Sequence, residues 1–424
     1  MRSGVVRIAM VAGEASGDLL ASHLIEALKA RLPNAEFFGI GGPKMAGRGF
    51  DAWYPLESLA VRGYVEVLKH YREISGIRSE LKRRLLADPP DVFIGVDAPD
   101  FNLALEKSLK RRGIAAVHYV GPSIWAWRGK RIHKIGAAVS RILALFPFEP
   151  ALYEKQGIPV TYVGHPLADM LPVDDGRSEA RQLLGLSDQQ PVFALLPGSR
   201  QSELQYMAET FIETARAIHE RLPEALFLVP LATRETRLLF ETALYRCNAR
   251  ELPIRMLFGH AHDAMKASDA VLVASGTATL EAALLKRPMA IAYKMASFSY
   301  RLMRRMGYLP YVGLPNILAG KFVVPEFIQD DATPENMAQA LLNFYADKRT
   351  CALIAEEFRE IHLQLKQNTA EKAATAVINS LPQPVRNGVG NFTENFNEAN
   401  YFVNNLLVGR VTDSGASVLR FAVN

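Results

Sequence analysis

Four short stretches carry residues able to hold an anion or move a proton. Pro197-Gly198-Ser199-Arg200 sets a free backbone, a hydroxyl and a guanidinium in consecutive positions, between the apolar run Val192 to Leu196 and an amphipathic stretch from Leu204 to Arg221. A helix N-terminus offers unpaired N–H groups and positive potential, and a guanidinium binds phosphate oxygens in pairs. A cation is electrostatically out of place there for the helix alone. Gly198, Ser199 and Arg200 are therefore expected to bind phosphate. Ser275-Gly276-Thr277-Ala278-Thr279 follows the apolar Ala270 to Ala274 and opens a helix bearing Glu281. It reads either as a second phosphate-holding turn, with Thr277 and Thr279 as hydroxyl donors, or as an ordinary junction capped by Ser275 or Thr277.

The third stretch is Asp97-Ala98-Pro99-Asp100-Phe101-Asn102, after the strand-like Asp91 to Val96. Ligands of open α/β sheets bind outside the carboxyl ends of strands, so Asp97 or Asp100 is placed to act as a general base. Asp100 also reads as the N-cap of a helix from Phe101 to Arg111, which leaves Asp97 the better candidate. The fourth, Gly13-Glu14-Ala15-Ser16-Gly17-Asp18, lets backbone approach a ligand, with Glu14, Ser16 and Gly17 as candidates. Its glycines do not fit the dinucleotide fingerprint, so no nicotinamide cofactor is expected. Trp125 and Trp127 lie beside Arg128, Lys130 and Arg131, a grouping suited to a sugar, an interfacial headgroup or plain packing. Asn316 sits among Pro315, Ile317 and Leu318 and needs partners from backbone or ligand. His260 and His262 find no third ligand at metal-binding spacing, and no metal is expected.

The elements that position these loops are apolar runs without alternation, each followed by a glycine turn and an amphipathic stretch. That is the pattern of parallel strands covered on both faces, hence of doubly wound α/β domains. At roughly 100 to 200 residues per domain, 424 residues make two. The polar, loosely helical stretch Val173 to Gln190 is the expected connector. The 49 cationic residues are nearly matched by 44 acidic ones, a net charge of +5 that does not imply nucleic acid. Cys247 and Cys351, the only cysteines, argue for a reducing compartment. The opening apolar run is too brief for a signal peptide and is expected to be the first strand. Nothing reaches the roughly 20 apolar residues that span a bilayer.

Leu56 to Leu86 interleaves Val61, Tyr64, Val65 and Leu68 with basic residues. It reads as a core-packed helix pair with a basic face or as a segment lying on an anionic membrane. Beyond Pro382 the chain turns Asn-rich and loses helical period, so 383–424 is expected to be an appendage.

These motifs, in this order from about Arg7 to about Ser380 and with Leu314-Pro315-Asn316 as a fifth, closely resemble the lipid-A-disaccharide synthase family. The resemblance implies an inverting GT-B glycosyltransferase, α/β with two doubly wound Rossmann-like domains facing across a cleft. Residues 1–172 would form the acceptor and membrane-facing domain and 173–345 the UDP-sugar domain, with helices 346–382 crossing back to the first. The implied substrates are UDP-2,3-diacylglucosamine and 2,3-diacylglucosamine 1-phosphate, with no cofactor. On this reading Asp97 is the base, Arg200 and the two turns hold the diphosphate, Glu281 holds the ribose, and Asn316 orients donor or diphosphate. Trp125, Asp100 and the 13–18 loop would line donor or acceptor. Acylated substrates also favour the membrane reading of Leu56 to Leu86, on the cytoplasmic face of the inner membrane. A homodimer is allowed. The rival readings are a membrane-associated nucleotide-sugar or lipid-binding module without catalysis, and a nucleotide-sugar 2-epimerase.

Overall fold

The computed structural model describes residues 5–59, 67–126, 129–174, 176–295, 300 and 310–387, without the side chains of 67–71. The chain forms two compact units. The first holds the residues to Trp125, Gly129–Val163 and everything from Asn368 onward; the second holds 126–128 and Gly164–Gln367.

The first unit is built on seven strands: β1 (Arg7–Ala12), β2 (Glu36–Gly41), β3 (Phe50–Pro55), β4 (Val92–Val96), β5 (Ala115–Tyr119), β6 (Arg141–Ala144) and β7 (Val160–Tyr162). They lie in the order β3-β2-β1-β4-β5-β6-β7, and every neighbouring pair is parallel. The absence of alternation in β1 has a direct cause. Ile8, Met10 and Ala12 enter one core with Leu24, Leu28, Ala373 and Val377, while Ala9 and Val11 enter another with Leu81, Leu85, Leu105 and Leu109. Both faces are dry, so both sets of side chains must be apolar.

The second unit holds β8 (Val192–Leu196), β9 (Leu226–Leu231), β10 (Ile254–Phe258), β11 (Ala270–Ala274), β12 (Met289–Tyr293) and β13 (Glu326–Ile328), in the parallel order β10-β9-β8-β11-β12-β13. Each sheet reverses its strand order once, between β1 and β4 and between β8 and β11. Loops leaving the two strands at such a reversal turn to opposite faces and leave a crevice between them. The four stretches singled out above leave β1, β4, β8 and β11. Two strands escaped the sequence reading, β3 and β13. Both lie at sheet edges, where exposed residues such as Asp51 in β3 and the three-residue length of β13 leave little pattern to detect.

Helix Lys348–Leu365 is the last of the second unit. Asn368, left-handed at φ 54°, then opens helix Thr369–Ile378, which joins the first unit. There Arg31 pairs with Glu371 at 2.9 Å and donates to Thr375.

The polar stretch Val173 to Gln190, expected as the connector between domains, lies within the second unit instead. Helix Arg177–Leu183 lies within it, and Arg181 is wholly buried. Its guanidinium donates to the carbonyls of Ala267, Ser187 and Gln190 and pairs with Asp269 at 3.0 Å. Asp269 in turn accepts from Val192 N–H at the start of β8. Removing the guanidinium leaves the carbonyls of Ala267, Ser187 and Gln190 without their buried donor, while Asp269 keeps Arg177 at 2.8 Å. Arg181→Met is therefore expected to lower stability by about 3 kcal/mol or more, read as a fall in the urea midpoint; an unchanged midpoint would show the cluster to be dispensable.

Candidate active site

At the reversal in the first sheet, the loops after β1 and β4 touch. A Cβ on Gly13 would lie 2.8 Å from that of Ala98, so a side chain at 13 would force them apart. Gly17 is different: a Cβ there would meet only ordinary contacts, the nearest at 3.5 Å. Glu14 and Ser16 are exposed, and Glu14 occupies the N-cap of helix Ala15–Arg31 without a capping hydrogen bond from its side chain. Asp18 is engaged inside the fold, accepting from the N–H groups of Gly42, Lys44 and Met45.

Asp97 and Ala98 both adopt the left-handed region, with φ of 52° and 43°. Two such residues in succession cost about 1–3 kcal/mol each and persist only where the surroundings enforce them. The Asp97 N–H donates to Tyr119 O at 2.8 Å, and the Asp97 carbonyl accepts from Asn102 Nδ2 at 2.8 Å. The Asp97 carboxyl is half-buried and makes no hydrogen bond or ion pair among the described residues. Asp100 is not the N-cap. Ala98 holds that position, because Pro99 occupies the first turn and moves the helix start ahead of Asp100. Asp100 lies in that turn with its side chain 85% exposed, paired with Arg131. Trp125 packs edge-on against Phe146 and Phe148, with centroids 6.2 and 5.3 Å away. Trp127 and Arg128 lie outside the described residues.

At the reversal in the second sheet, the two helix N-termini differ. Gly198 has φ 132°, and a Cβ on it would lie 2.5 Å from that of Glu203. Glu203 Oε2 accepts from the N–H groups of Ser199 (2.9 Å) and Arg200 (3.3 Å). The expectation that these amides greet a phosphate is thus corrected: the chain's own carboxylate already holds them. The Arg200 guanidinium is 73% exposed and only 3.7 Å from Glu203, so it stays available to an anion. Tyr293, at the end of β12, belongs to the same locality. Burial raises its phenol, a rise that Glu203 reinforces and Arg200 opposes.

After β11 the N-cap is Gly276, with φ 152° and open space around it. No side chain caps this helix, so neither Ser275 nor Thr277 is the cap. Ser275 and Ala278 are half-buried, Thr277 is exposed, and Thr279 is buried with its hydroxyl donated to Gly276 O at 2.8 Å. Thr279 therefore drops out as a donor to ligand, because its one proton is engaged. Glu281 Oε2 lies 2.9 Å from His262 Nε2, which leaves the other carboxylate oxygen for a ligand. His262 is the residue sequence reasoning passed over, since nothing local links it to a glutamate 19 positions away. Burial pushes neighbouring His165 down to about 4 despite the carboxylates of Asp169 and Glu281, so it is neutral near pH 7.

Asn316 is corrected as well. It is fully buried; Nδ2 donates to Val324 O and Glu326 Oε1, and Oδ1 accepts from the N–H groups of Val323 and Val324. All four hydrogen-bonding positions of the amide are taken, and Asn316 is a clip for the 312–326 loop. Val61, Tyr64 and Val65 lie outside the described residues, as does the side chain of Leu68. Among the described residues no three His, Cys, Asp or Glu side chains converge as a metal set.

The family model described as lipid-A-disaccharide synthetase matches residues 8–378, and a second, described as MlaA lipoprotein, matches residues 357–424. The lipid-A-disaccharide synthase of Dechloromonas aromatica (strain RCB) is 67% identical over 377 residues, which span 89% of this chain and 99% of the relative. That of Azoarcus sp. (strain BH72) is 62% identical over 372 residues, 88% of this chain and 95% of the relative. Solved structures share the architecture at low identity. A UDP-GlcNAc 2-epimerase from Neisseria meningitidis bound to UDP-GlcNAc aligns with a TM-score of 0.57 at 12% identity, over 89% of this chain and 99% of that one. Acinetobacter baumannii MurG aligns at 0.54 and 13%, over 88% and 99%. These likenesses establish the two-unit GT-B fold and no more. Together with the four ordered motifs at the two sheet reversals, the family match from residue 8 to residue 378 means that this chain belongs to the lipid-A-disaccharide synthase family, glycosyltransferases of lipid A biosynthesis.

Proposed function

We propose that the chain transfers the sugar of UDP-2,3-diacylglucosamine to 2,3-diacylglucosamine 1-phosphate with inversion and without a metal ion, and that Asp97 is the base. The acceptor hydroxyl oxygen attacks the anomeric carbon, the bond from that carbon to the diphosphate oxygen breaks, and UDP leaves with the electron pair. The hydroxyl proton passes to the Asp97 carboxylate. The observation that carries this reading is that carboxylate, held on strained backbone at a sheet reversal and committed to no other described group. Negative charge growing on UDP meets the Arg200 guanidinium and the uncapped helix end at Gly276, Thr277 and Ala278. Glu281, with His262 fixing one oxygen, accepts from the ribose with the other. The first unit takes the acceptor and the second, Gly164–Gln367, the donor, and the chain returns to the first unit at Asn368.

The test is incubation with both acylated sugars in excess chelator. UDP and disaccharide 1-phosphate should appear one for one, with the anomeric configuration reversed. UDP without disaccharide would overturn transfer, and turnover that depended on added Mg²⁺ would overturn metal independence.

Acylated substrates must be drawn from a bilayer surface, and the reading extends to peripheral attachment on the cytoplasmic face of the inner membrane. Among the described residues no helix is long and apolar enough to cross a membrane. Helix Val67–Ala87 carries Leu68, Arg72, Lys82, Arg83 and Arg84, and the sequence just before it supplies Val61, Tyr64 and Val65. Basic charge beside aliphatic residues suits an anionic surface. Replacing Val61, Val65 and Leu68 by serine is expected to release the protein from anionic vesicles in a flotation assay. Undiminished flotation would return those residues to a core role. A homodimer is compatible with this reading, and a sedimentation measurement decides it.

A further inference from the structure

Beneath the Asp97 turn lies a layer of three buried polar side chains that the transfer chemistry leaves unused. Asn102, Glu106 and His118 are each fully buried. His118 Nδ1 and Glu106 Oε1 are 2.7 Å apart. Asn102 and Glu106 stand one turn apart on the helix that follows Asp97, and His118 stands on β5, in register with Gly95 of β4. All close on that glycine: a Cβ at Gly95 would lie 2.2 Å from Glu106 Oε1 and 2.9 Å from Asn102 Cβ. The layer therefore meets β4 two residues before Asp97. Its outer member, Asn102, reaches the turn itself, donating from Nδ2 to the Asp97 carbonyl at 2.8 Å and to Val11 O at 3.4 Å.

Stability alone does not account for this arrangement. Asn102 Oδ1, Glu106 Oε2 and His118 Nε2 are buried with no hydrogen-bond partner among the described residues. Each such atom costs about 1–3 kcal/mol, and well-packed apolar residues would serve a purely structural layer at least as well. What the polar layer does supply is a directional grip on a left-handed carbonyl that nothing apolar could hold.

We infer that Asn102, backed by the Glu106–His118 pair, is the positioning layer that holds the Asp97 carboxylate in its reactive orientation. This rests on the reading of Asp97 as the base. Asn102 touches no reacting atom; it acts through the Asp97 backbone.

The experiment measures kcat per folded molecule, UDP affinity and urea midpoint for Asn102→Leu, His118→Leu and His118→Asn, with Asp97→Asn alongside. Misplacing a reacting group by about 1 Å can lower turnover roughly a hundredfold, and a loss of that order is expected for Asn102→Leu. UDP affinity should stay within about twofold, since the nucleotide residues belong to the other sheet. His118→Leu should lose turnover and also lower the urea midpoint, because it leaves the buried Glu106 carboxyl without its partner, which is why turnover is counted per folded molecule. His118→Asn, whose amide can still donate to Glu106, should recover most of the turnover. Turnover retained in Asn102→Leu and His118→Leu while Asp97→Asn is inactive would overturn the positioning layer and leave the base intact. Turnover retained in Asp97→Asn would overturn the base reading itself. Should either leucine variant fail to fold, Asn102→Asp decides: it keeps the shape but turns a donor into an acceptor facing two carbonyls, so full turnover in it overturns the proposal and a large loss supports it.

Discussion

Asp97→Asn is expected to lower turnover by roughly 10² to 10⁴ while leaving UDP affinity and stability unchanged. The size follows from what a positioned base contributes to proton transfer. The separation of effects follows from the structure. Asparagine tolerates the left-handed backbone that residue 97 adopts at φ 52° and matches aspartate in shape, so the turn survives. The carboxyl makes no hydrogen bond or ion pair among the described residues, so neutralising it strands no partner. UDP is assigned to residues on the second sheet. Single-turnover kinetics with UDP binding by calorimetry checks both halves. Turnover within tenfold of the parent would remove Asp97 from the base role.

Arg200→Ala carries the second largest expected effect, and it falls on binding. A hydrogen bond to a charged group contributes about 1.5–3 kcal/mol, which predicts a loss of roughly 10- to 100-fold in UDP affinity. The fold should not suffer. The Arg200 side chain is largely exposed and lies 3.7 Å from Glu203, a pair of the kind that adds little stability. The amides of Ser199 and Arg200 are held by Glu203 in either protein, so the loop keeps its shape when the guanidinium goes. Unchanged UDP affinity in Arg200→Ala would assign the diphosphate to the uncapped helix at Gly276 alone. A urea midpoint measured in parallel separates lost binding from lost fold.

Set beside these expectations, the rival readings have little to stand on. A likeness to 2-epimerase structures at 12% identity concerns the fold. A binding module has no use for an uncommitted carboxylate on strained backbone. The C-terminal tail is a separate matter. The lipid-A-disaccharide synthetase model ends at residue 378, while the family model that reaches the tail, matching 357–424, is described as MlaA lipoprotein.

By itself the sequence determined the order of the elements, the two doubly wound sheets and the four loops at their reversals. Those features are local. A strand covered on both faces must be apolar at every position, and a chain turning sharply beside a ligand needs glycine or a capping residue, so the signal sits within a few consecutive residues. Gly13, Gly198, Gly276 and Asp97 were legible for that reason. Only the tertiary structure decided which polar groups were spoken for. Asn316 is closed on Val323, Val324 and Glu326, the Thr279 hydroxyl is turned back on Gly276, and Glu203 lies across the amides meant for phosphate. Glu281 with His262, Arg181 with Asp269 and Glu106 with His118 are pairings across 19, 88 and 12 positions. A hydrogen bond depends on where two atoms end up in space, and no periodicity in the chain records that. Sequence thus told where the chemistry is built, and the packed structure told which side chains are free to perform it.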